Sequence, residues 1–499
     1  MIKLPCEVEE GNIEYKRDLL KIDNERKIHM SSQMKWRIAE GNGKAYYYIG
    51  INDDGSFYGL KYKELNLSIK ILKEITKIIN VKIVNINKIK IECKFYAIII
   101  IENNLKQKNI KIAFLGGTQC GKTTTINILM NGIKDDGKGL ARLSLFNHKH
   151  EVLNGKTSSI ATQILGYKNN ICINSSCISN NDIIRNSDKI VNLIDYPGSL
   201  KYSKTIFSKL LSMYPETIII TINPFKTNFD ILKFYLKYCK INNIYFLVLF
   251  TNNDKKKFLK KIINIINFFK NNKIKLNNYE KLNKKIDIQS YYYLSISNIN
   301  KHNYLILYEY INKVSNIEFN FDKSLNKNNN EIQIIQKYSN YELGTIFSGY
   351  SLNGKFNKND IAFIRNNNEW NKIQIKSLHM NQNEYTAIEK NNILGIMFDI
   401  LDNNIILDKP TLIVDKVDTY TYINKINFKI VFKSYKKLNL KKGIEIIIFI
   451  RNNIMISKLL DFNDDDLIVE LSKNIIINKE DTLIFKINKI YGLGSINKI

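Results

Sequence analysis

The apolar residues of this 499-residue chain change their spacing near residue 317. Before that point, continuous apolar runs of strand length lie at 110–115, 190–194 and 244–250, with longer polar stretches between them. Such runs are typical of buried strands in a parallel sheet, so this part predicts an α/β fold. After that point, short β-rich segments with a period of two alternate with turns rich in Asn, Gly and Asp, which is typical of small β-barrels.

This pattern predicts four domains: a small α/β domain at 1–108, an α/β domain at 109–316, and two β-barrels at 317–415 and 416–499. In the first domain, strands are predicted at 45–51, 82–92 and 94–102. The apolar face of a helix is formed by Leu65, Ile69, Leu72, Ile75 and Ile79.

Two further segments have less regular patterns. The Asn- and Lys-rich stretch 271–285 is expected to be an exposed, mobile loop. Trp36 and the tyrosines at 46–48 suit either base stacking or core packing, and core packing is the commoner use of such residues.

Composition adds a strong positive charge. Lys and Arg number 75 against 47 Asp and Glu, which gives a formal net charge of +28. That charge favours a phosphate-coated partner such as RNA, although a general bias towards Lys, Asn and Ile would also raise it. We expect no membrane span, because no apolar run is long enough, and no signal peptide. The six scattered cysteines suggest reduced thiols and a cytoplasmic protein.

The strongest chemical motif follows the apolar run at 110–115. It is the sequence Gly116, Gly117, Thr118, Gln119, Cys120, Gly121, Lys122 and Thr123, continued by Thr124. This matches the phosphate-binding loop G-x-x-x-x-G-K-[ST] between a strand and a helix, a setting in which a chance match is rare. Backbone N–H groups would surround the phosphates, Lys122 would supply a cation, and the Thr123 hydroxyl would bind Mg²⁺. The motif predicts a nucleoside triphosphate site.

Two later segments suit the Mg²⁺ and γ-phosphate end of such a site. Thr157, in the polar loop 155–159, is a candidate to bind Mg²⁺ through its hydroxyl and the γ-phosphate through its backbone. Asp195 ends a predicted strand and is a second candidate for Mg²⁺, while the Gly198 N–H is placed to approach the γ-phosphate. Without the phosphate loop, the segment 195–198 would be read as a simple Pro-Gly turn.

Two more segments predict which base the site binds. Thr251, Asn252 and Asp254 follow the apolar run at 244–250, and Asp254 is placed to accept hydrogen bonds from guanine N1 and N2, which adenine does not donate. Ser295, Ile296, Ser297 and Asn298 follow the next predicted strand and form an expected loop over the base. Taken together, the segments indicate guanine.

Several blocks resemble the eukaryotic GTP-binding protein 1 and 2 family, relatives of translation elongation factors. The first-switch resemblance lies in Gly-Lys-Gly-Leu-Ala-Arg at 137–142, Phe-Asn-His-Lys-His-Glu at 146–151, Gly-Lys-Thr-Ser-Ser at 155–159 and Ile-Leu-Gly at 164–166. Further blocks lie at 11–16, 33–37, 342–349 and 492–494. The resemblance implies a P-loop GTP-binding domain followed by two elongation-factor-like barrels. It also implies GTP, GDP and Mg²⁺ as ligands, and a ribosome, tRNA or mRNA partner.

Three positions depart from that family. Gln119 stands where the family has Asp in the phosphate loop, Ser199 where its elongation-factor relatives have His after the second-switch Gly198, and Asn252 where the base-reading motif has Lys. The family histidine positions the attacking water, so Thr157, Gly198 and Ser199 form the candidate catalytic set and slow hydrolysis is expected. We carry two hypotheses: a GTPase switch in translation or RNA quality control, and a hydrolysis-deficient GTP-binding scaffold for RNA or protein. The sequence does not predict an oligomeric state.

Overall fold

The structure is a computed structural model of the full chain. The residues that it describes are 4–8, 10–41, 43–79, 81–103, 108–137, 160–281, 286–287, 290–317, 324–340, 344–367, 369–380, 383–401, 407, 410–417, 420–434, 440–463, 465–488 and 490–498. The chain folds as two units. The first contains Met1–Gln107 and the short segment Asn383–Ala387, and the second contains Lys108–Gln382 and Ile388–Ile499.

The first unit is a four-stranded sheet with two helices. Its elements are β1 (Ile13–Lys16), α1 (Asn24–Glu40), β2 (Lys44–Ile49), α2 (Tyr62–Ile78), β3 (Val81–Ile91) and β4 (Lys94–Asn103), and the strand order is β1-β2-β4-β3. In α2 the predicted apolar face is buried from Leu65 to Ile75 because its residues recur at helical spacing. Of the aromatic residues for which base stacking or core packing was considered, some are buried and others are exposed. Tyr47 is in the core with 1% exposure, whereas Trp36 is 42% exposed and the Arg37 guanidinium lies over its ring.

The second unit begins with an eight-stranded sheet of order β11-β12-β10-β9-β5-β8-β6-β7. Its strands are β5 (Lys108–Leu115), β6 (Ala161–Lys168), β7 (Ile171–Cys172), β8 (Lys189–Asp195), β9 (Thr217–Ile222), β10 (Tyr245–Phe250), β11 (Leu276–Asn278) and β12 (Tyr291–Ser295). The six strands from β11 to β8 in this order are parallel, while β6 and β7 are antiparallel to their neighbours. Strands β8, β9 and β10 are buried along their whole length, as continuous apolar runs predict.

Helices cover both faces of this sheet. They are α3 (Lys122–Asn131), α4 (Asn180–Asn186), α5 (Ser203–Ser212), α6 (Phe229–Ile241), α7 (Phe258–Asn271) and α8 (Tyr304–Val314). Two separate cores result, one containing α5, α6 and α7 and the other containing α3 and α8. Within the described ranges, no helix has the length and apolar character needed to cross a bilayer.

The expectation of a mobile loop at 271–285 is wrong for its central residues. Leu276–Asn278 forms the edge strand β11 beside β12, and Ile274 and Tyr279 are 2% exposed. The local sequence is polar, but these few apolar side chains reach a core built from distant residues, and that burial decides the structure. Residues 282–285 lie outside the described residues.

Two closed antiparallel barrels follow. The strands of this region are β13 (Glu331–Asn340), β14 (Gly344–Asn353), β15 (Lys355–Asn357), β16 (Ile361–Asn366), β17 (Glu369–Met380), β18 (Asn383–Tyr385), β19 (Ala387–Glu389), β20 (Ile393–Ile400) and β21 (Pro410–Val414). Strands β16, β21, β13, β14, β20 and β17 close the first barrel because β16 pairs with both β21 and β17.

The second barrel has the order β22-β25-β24-β23-β26-β27. Its strands are β22 (Ile423–Lys433), β23 (Glu445–Ile450), β24 (Asn453–Asn463), β25 (Asp466–Ile475), β26 (Thr482–Ile487) and β27 (Ile490–Lys498). The predicted fold class, an α/β sheet domain followed by two β-barrels, is therefore confirmed.

The sheet domain and the second barrel share one core. Phe207 on α5 is 1% exposed, and its ring centroid lies 5.6 Å from that of Phe449 and 5.7 Å from that of Tyr491 in the barrel. Phe234 on α6 lies 5.3 Å from the same Tyr491 ring. Buried aromatic rings remove large apolar surfaces from water. The sheet domain and the second barrel are therefore joined by a shared hydrophobic core.

Candidate nucleotide-binding site

The candidate site lies where neighbouring parallel strands end. Strands β12, β10, β9, β5 and β8 are adjacent in the sheet and point the same way. The register pairs Phe114 with Asp195 and Phe250 with Ser295, so the segments that follow these strands emerge at one edge. Crevices at the carboxyl ends of such strands are the usual ligand sites of open α/β sheets.

The phosphate loop connects β5 to α3 and needs its glycines. A Cβ atom at Gly116 would lie 2.2 Å from the Thr221 carbonyl oxygen, so no larger residue fits there. Gly121, directly before α3, has φ of 91°, a conformation that favours glycine. Gln119 also adopts a left-handed φ of 58°. A glycine-rich loop with left-handed residues that runs into the start of a helix is a backbone arrangement suited to binding an anion through N–H groups.

Lys122 lies inside this loop. Its side chain is 6% exposed, and Nζ donates to the carbonyl oxygens of Gly116 and Gly117, each at 3.0 Å. The Cys120 sulfur is 3.5 Å from the same nitrogen. A buried ammonium needs polar partners, and the loop carbonyls supply them without a carboxylate. The cation is thus held where incoming phosphate oxygens would compete for its protons.

The two candidate Mg²⁺ ligands of the described chain are in contact. Thr123 Oγ1 donates to Asp195 Oδ2 at 2.5 Å, and their residues are 9% and 1% exposed. A hydroxyl and a carboxylate at the mouth of a phosphate loop are the hard oxygen ligands that Mg²⁺ prefers, so these residues fit the ion. The third candidate, Thr157, lies with the whole loop 155–159 outside the described residues, as do the first-switch blocks at 138–142 and 146–151.

The second-switch turn lies directly on the phosphate loop. A Cβ at Gly198 would be 2.5 Å from the Gly117 carbonyl oxygen, and Thr118 Oγ1 donates to the Gly198 carbonyl at 3.4 Å. The Ser199 hydroxyl oxygen accepts the Lys201 backbone N–H at 3.3 Å, and its carbonyl accepts that of Tyr202 at 3.0 Å. Ser199 therefore begins a short 3₁₀ turn at Leu200–Tyr202 with its own side chain.

The base-reading segments brace each other. Ser297 Oγ donates to Asp254 Oδ1 at 2.7 Å, and Asp254 is exposed to solvent. Thr251 Oγ1 donates to the Cys120 carbonyl at 2.9 Å and so ties this segment to the phosphate loop. Asn252 adopts a left-handed φ of 60° that Asn tolerates well.

The remaining predicted site residues hold the loops of the site in place. Ile296 is fully buried; its N–H donates to the Phe250 carbonyl at 2.8 Å, and its carbonyl accepts the Asn253 N–H at 3.2 Å. The Ser295 carbonyl accepts from Asn303 Nδ2 at 2.9 Å. Thr124 is buried in the first turn of α3 with 7% exposure. These residues hold the loops in place through their backbones or their burial.

Two residues that the sequence analysis did not choose, Lys226 and Asn223, join the site, and Asn298 ends the predicted base loop. Lys226 Nζ donates to Gln119 Oε1 at 2.7 Å, and Asn223 Nδ2 donates to the Gln119 carbonyl at 3.3 Å. Asn298 Oδ1 accepts from Thr125 Oγ1 at 3.3 Å and from Tyr304 OH at 2.8 Å, and burial raises the pKa of that tyrosine. Lys226 and Asn223 follow β9, so their place after a strand adjacent to β5 was the available signal.

The chain is similar to known GTP-binding proteins in sequence. GTP-binding protein 2 of Homo sapiens, and equally that of Mus musculus, is 34% identical over 230 residues, which are 44% of this chain and 38% of that protein. GTP-binding protein 1 of Xenopus laevis is 27% identical over 201 residues, 38% of this chain and 30% of that protein. The matched regions therefore span less than half the length of these relatives. No family model matches.

Solved structures share the fold. A bacterial selenocysteine-specific elongation factor, EF-Sec, is 16% identical with a TM-score of 0.57, and the match covers 78% of this chain and 58% of that one. The Ski7 GTPase-like domain of S. cerevisiae, solved with bound GTP, is 15% identical with a TM-score of 0.58 over 79% of this chain and 98% of that one. The resemblance predicted from the sequence is confirmed.

Proposed function

We propose that this chain, a divergent relative of GTP-binding proteins 1 and 2, binds GTP and GDP with Mg²⁺ as a nucleotide switch of the elongation-factor type. The observation that carries the proposal is the convergence of three partly independent groups at one edge of the sheet. These groups are Lys122 within its loop, the Thr123–Asp195 contact, and the Asp254 carboxylate held by Ser297. Each suits a different part of a guanine nucleotide.

The phosphate end would be bound by exchange of partners. Lys122 Nζ gives up its bonds to the Gly116 and Gly117 carbonyls for phosphate oxygens, which carry full charge and form stronger hydrogen bonds. Thr123 and Asp195 would hold Mg²⁺, and the ion would neutralise charge on the phosphates. The chain keeps these groups ready in a buried, prearranged site.

The guanine end would be selected by Asp254. Its carboxylate accepts two hydrogen bonds from guanine, while adenine would leave it unpaired, a cost of a few kcal/mol. The Ser297 hydroxyl fixes the side chain in one rotamer, so little entropy is lost when the base binds.

The switch would act through the turn at Gly198. This turn rests on the phosphate loop at Gly117 and leads into α5, which packs on the second barrel through Phe207. A γ-phosphate that orders the turn would bias the position of this helix, and its loss would release it. We place this switch in translation or RNA quality control in the cytoplasm, with a ribosome, tRNA or mRNA as partner.

A hydrolysis-deficient scaffold is the second candidate, and one observation favours it. The Ser199 hydroxyl oxygen is used by its own turn, and serine carries neither the reach nor the charge of the histidine found in the family. Such a protein would bind GTP and its partners without a useful rate of hydrolysis.

The proposal is tested by nucleotide titration of the full chain with Mg²⁺. GTP and GDP should bind, ATP should bind far more weakly, and Lys122→Ala should abolish binding because the loop loses its buried cation. Lys134→Ala is the matched control, since Lys134 is exposed beyond the end of α3. Normal GTP binding by Lys122→Ala would show that the site lies elsewhere.

A further inference from the structure

One part of the second unit has far more basic than acidic residues. The segment 226–275 contains 12 lysines and two acidic residues, Asp230 and Asp254, while the whole chain has 75 basic and 47 acidic residues. A general bias towards lysine raises the basic count but does not remove carboxylates. The local excess is therefore a property of this surface, which consists of α6, α7 and the segments that flank α7.

These lysines are on the outside of the fold. All of them are exposed except Lys237, which is half-buried. On α6, Lys233, Lys237 and Lys240 recur at helical spacing on the face that the buried residues leave open. On α7, Lys260 and Lys261 lie outside a buried face. Successive charges along a helix face are about 6 Å apart, close to the separation of phosphates along one nucleic-acid strand.

Their charges are not compensated within the described chain. None of the 12 lysines forms an ion pair with a carboxylate there, whereas lysines elsewhere do, such as Lys376 with Asp399 and Lys442 with Asp461. Asp254 is bonded to Ser297. Burial and the charges of Lys237 and Lys273 lower the pKa of Lys240, so the ammonium group of Lys273, just beyond the end of α7, lies near those of α6. A folded surface that concentrates like charge in this way is suited to a polyanion.

We propose that the lysine surface of α6 and α7 binds the phosphate backbone of double-helical RNA. This inference rests on the proposed function for the choice of RNA among polyanions. A duplex fits better than a single strand, because single-strand sites add aromatic rings on which bases stack. The large apolar side chains exposed on α7 are instead aliphatic, Leu259 at 71% and Ile263 at 54%, and the ring exposed at the start of α6, Phe229 at 42%, packs against the ring of Phe268. Contacts to phosphates would position the protein without reading the base sequence.

Leu259 and Ile263 also define the rival occupant. An acidic peptide with apolar side chains would use these two residues and their lysine neighbours. The lysine surface, however, continues across α6, beyond the reach of so small an apolar pair. We therefore favour RNA, and peptide binding becomes an outcome that would overturn the proposal.

The test is binding of a fluorescent 24-base-pair RNA duplex to the full chain, measured by anisotropy at several salt concentrations. The variant carries Lys233→Gln, Lys237→Gln, Lys260→Gln and Lys261→Gln, which preserve helix propensity. The control carries Lys313→Gln, Lys376→Gln, Lys433→Gln and Lys442→Gln, four lysines that pair with carboxylates. Both proteins lose the same net charge.

The surface variant should lose RNA affinity by about 30-fold or more, and its log K against log salt slope should fall by about three. The control should stay within about threefold of the unmodified chain, and all three proteins should bind GTP equally. Equal losses in both variants, or no duplex binding by a chain that binds GTP, would overturn the proposal. So would surface-dependent binding of an acidic Leu-containing peptide in place of RNA. Surface-dependent RNA binding by a chain that fails to bind GTP would support the inference and refute the nucleotide switch.

Discussion

At the scale of single residues, we expect Asp254 and Ser199 to control separate properties of the candidate site. Asp254 is held by the Ser297 hydroxyl at 2.7 Å and presents its carboxylate at the edge where the base would lie. Ser199 uses its hydroxyl oxygen to accept the Lys201 N–H of its own turn. The first arrangement concerns which base is bound, and the second concerns how water is placed. The two therefore call for different measurements.

Asp254→Asn should change the base preference of the site from guanine to xanthine. An amide offers a donor where xanthine has an oxygen, so affinity for GTP should fall by about tenfold or more and affinity for xanthosine triphosphate should rise. Competition titrations with both nucleotides measure this exchange. Unchanged GTP preference in the variant would mean that another group reads the base.

Ser199→His should accelerate GTP hydrolysis. The unmodified chain should be slow, because a missing positioning side chain commonly costs on the order of 3–4 kcal/mol, roughly a few hundred-fold in rate. Restoring the imidazole should recover part of that rate, mainly when a ribosome aligns it. Single-turnover hydrolysis with and without ribosomes provides the comparison. Equal hydrolysis rates for the two proteins would show that Ser199 is not the cause of slow hydrolysis.

At the scale of elements, α5 connects the second-switch turn to both barrels. Its Phe207 packs on the second barrel, and its Lys209 Nζ donates to the Ile335 carbonyl of β13 at 2.9 Å and to Gln336 Oε1 at 3.3 Å. Burial lowers the pKa of the Lys209 ammonium from 10.5 to about 8. The helix therefore carries a titratable contact to the first barrel.

This contact predicts a pH dependence of stability. Between pH 8 and 10 the unfolded chain keeps a proton on Lys209 that the folded chain has released, so the contribution of Lys209 to the free energy of unfolding should rise with pH, by up to about 1 kcal/mol per pH unit. Lys209→Met should lack this contribution, while Lys189, whose pKa burial also lowers to about 8, should keep a contribution of the same sign in both proteins. Urea unfolding at pH 7.5 and 9.5 measures the difference. An identical rise in both proteins would exclude Lys209 as its source.

At the scale of the second unit, the sheet domain and the second barrel have a common core. Residues of α5, α6, β22, β23, β26 and β27 belong to one buried cluster, with Phe207 at its centre. A shared core makes the two domains unfold together, because neither keeps its apolar surface covered alone. The same contacts would carry a change at the second-switch turn into the barrel.

Phe207→Ala should make the sheet domain and the second barrel unfold independently. Removing a buried ring typically costs about 3–5 kcal/mol, and here the loss falls on the interface, so one calorimetric transition of this pair should become two. Phe347→Ala is the control, since Phe347 is 3% exposed but stacks on Phe398 inside the first barrel. That variant should lose stability without splitting the transition. A single transition after Phe207→Ala would show that other contacts suffice.

Features that depend on neighbours along the chain could be predicted from the amino-acid sequence. The phosphate loop was predictable because its glycines, lysine and threonine act within eight consecutive residues, and backbone sterics at Gly116 and Gly121 demand those residue types. Apolar runs of strand length and segments of period two likewise gave the α/β sheet and the barrels. These patterns work because burial of one face acts on every residue of an element.

The contacts between side chains that are distant along the chain depend on how the strands and helices pack. The Thr123–Asp195 and Asp254–Ser297 hydrogen bonds join residues 72 and 43 positions apart, and the Lys226–Gln119 bond joins residues 107 apart. The edge strand Leu276–Asn278 forms because the flanking Ile274 and Tyr279 are buried in the hydrophobic core, which the polar sequence around them does not predict. Such contacts depend on strand order and register, which no local pattern encodes, and their hydrogen bonds are directional over only about 3 Å.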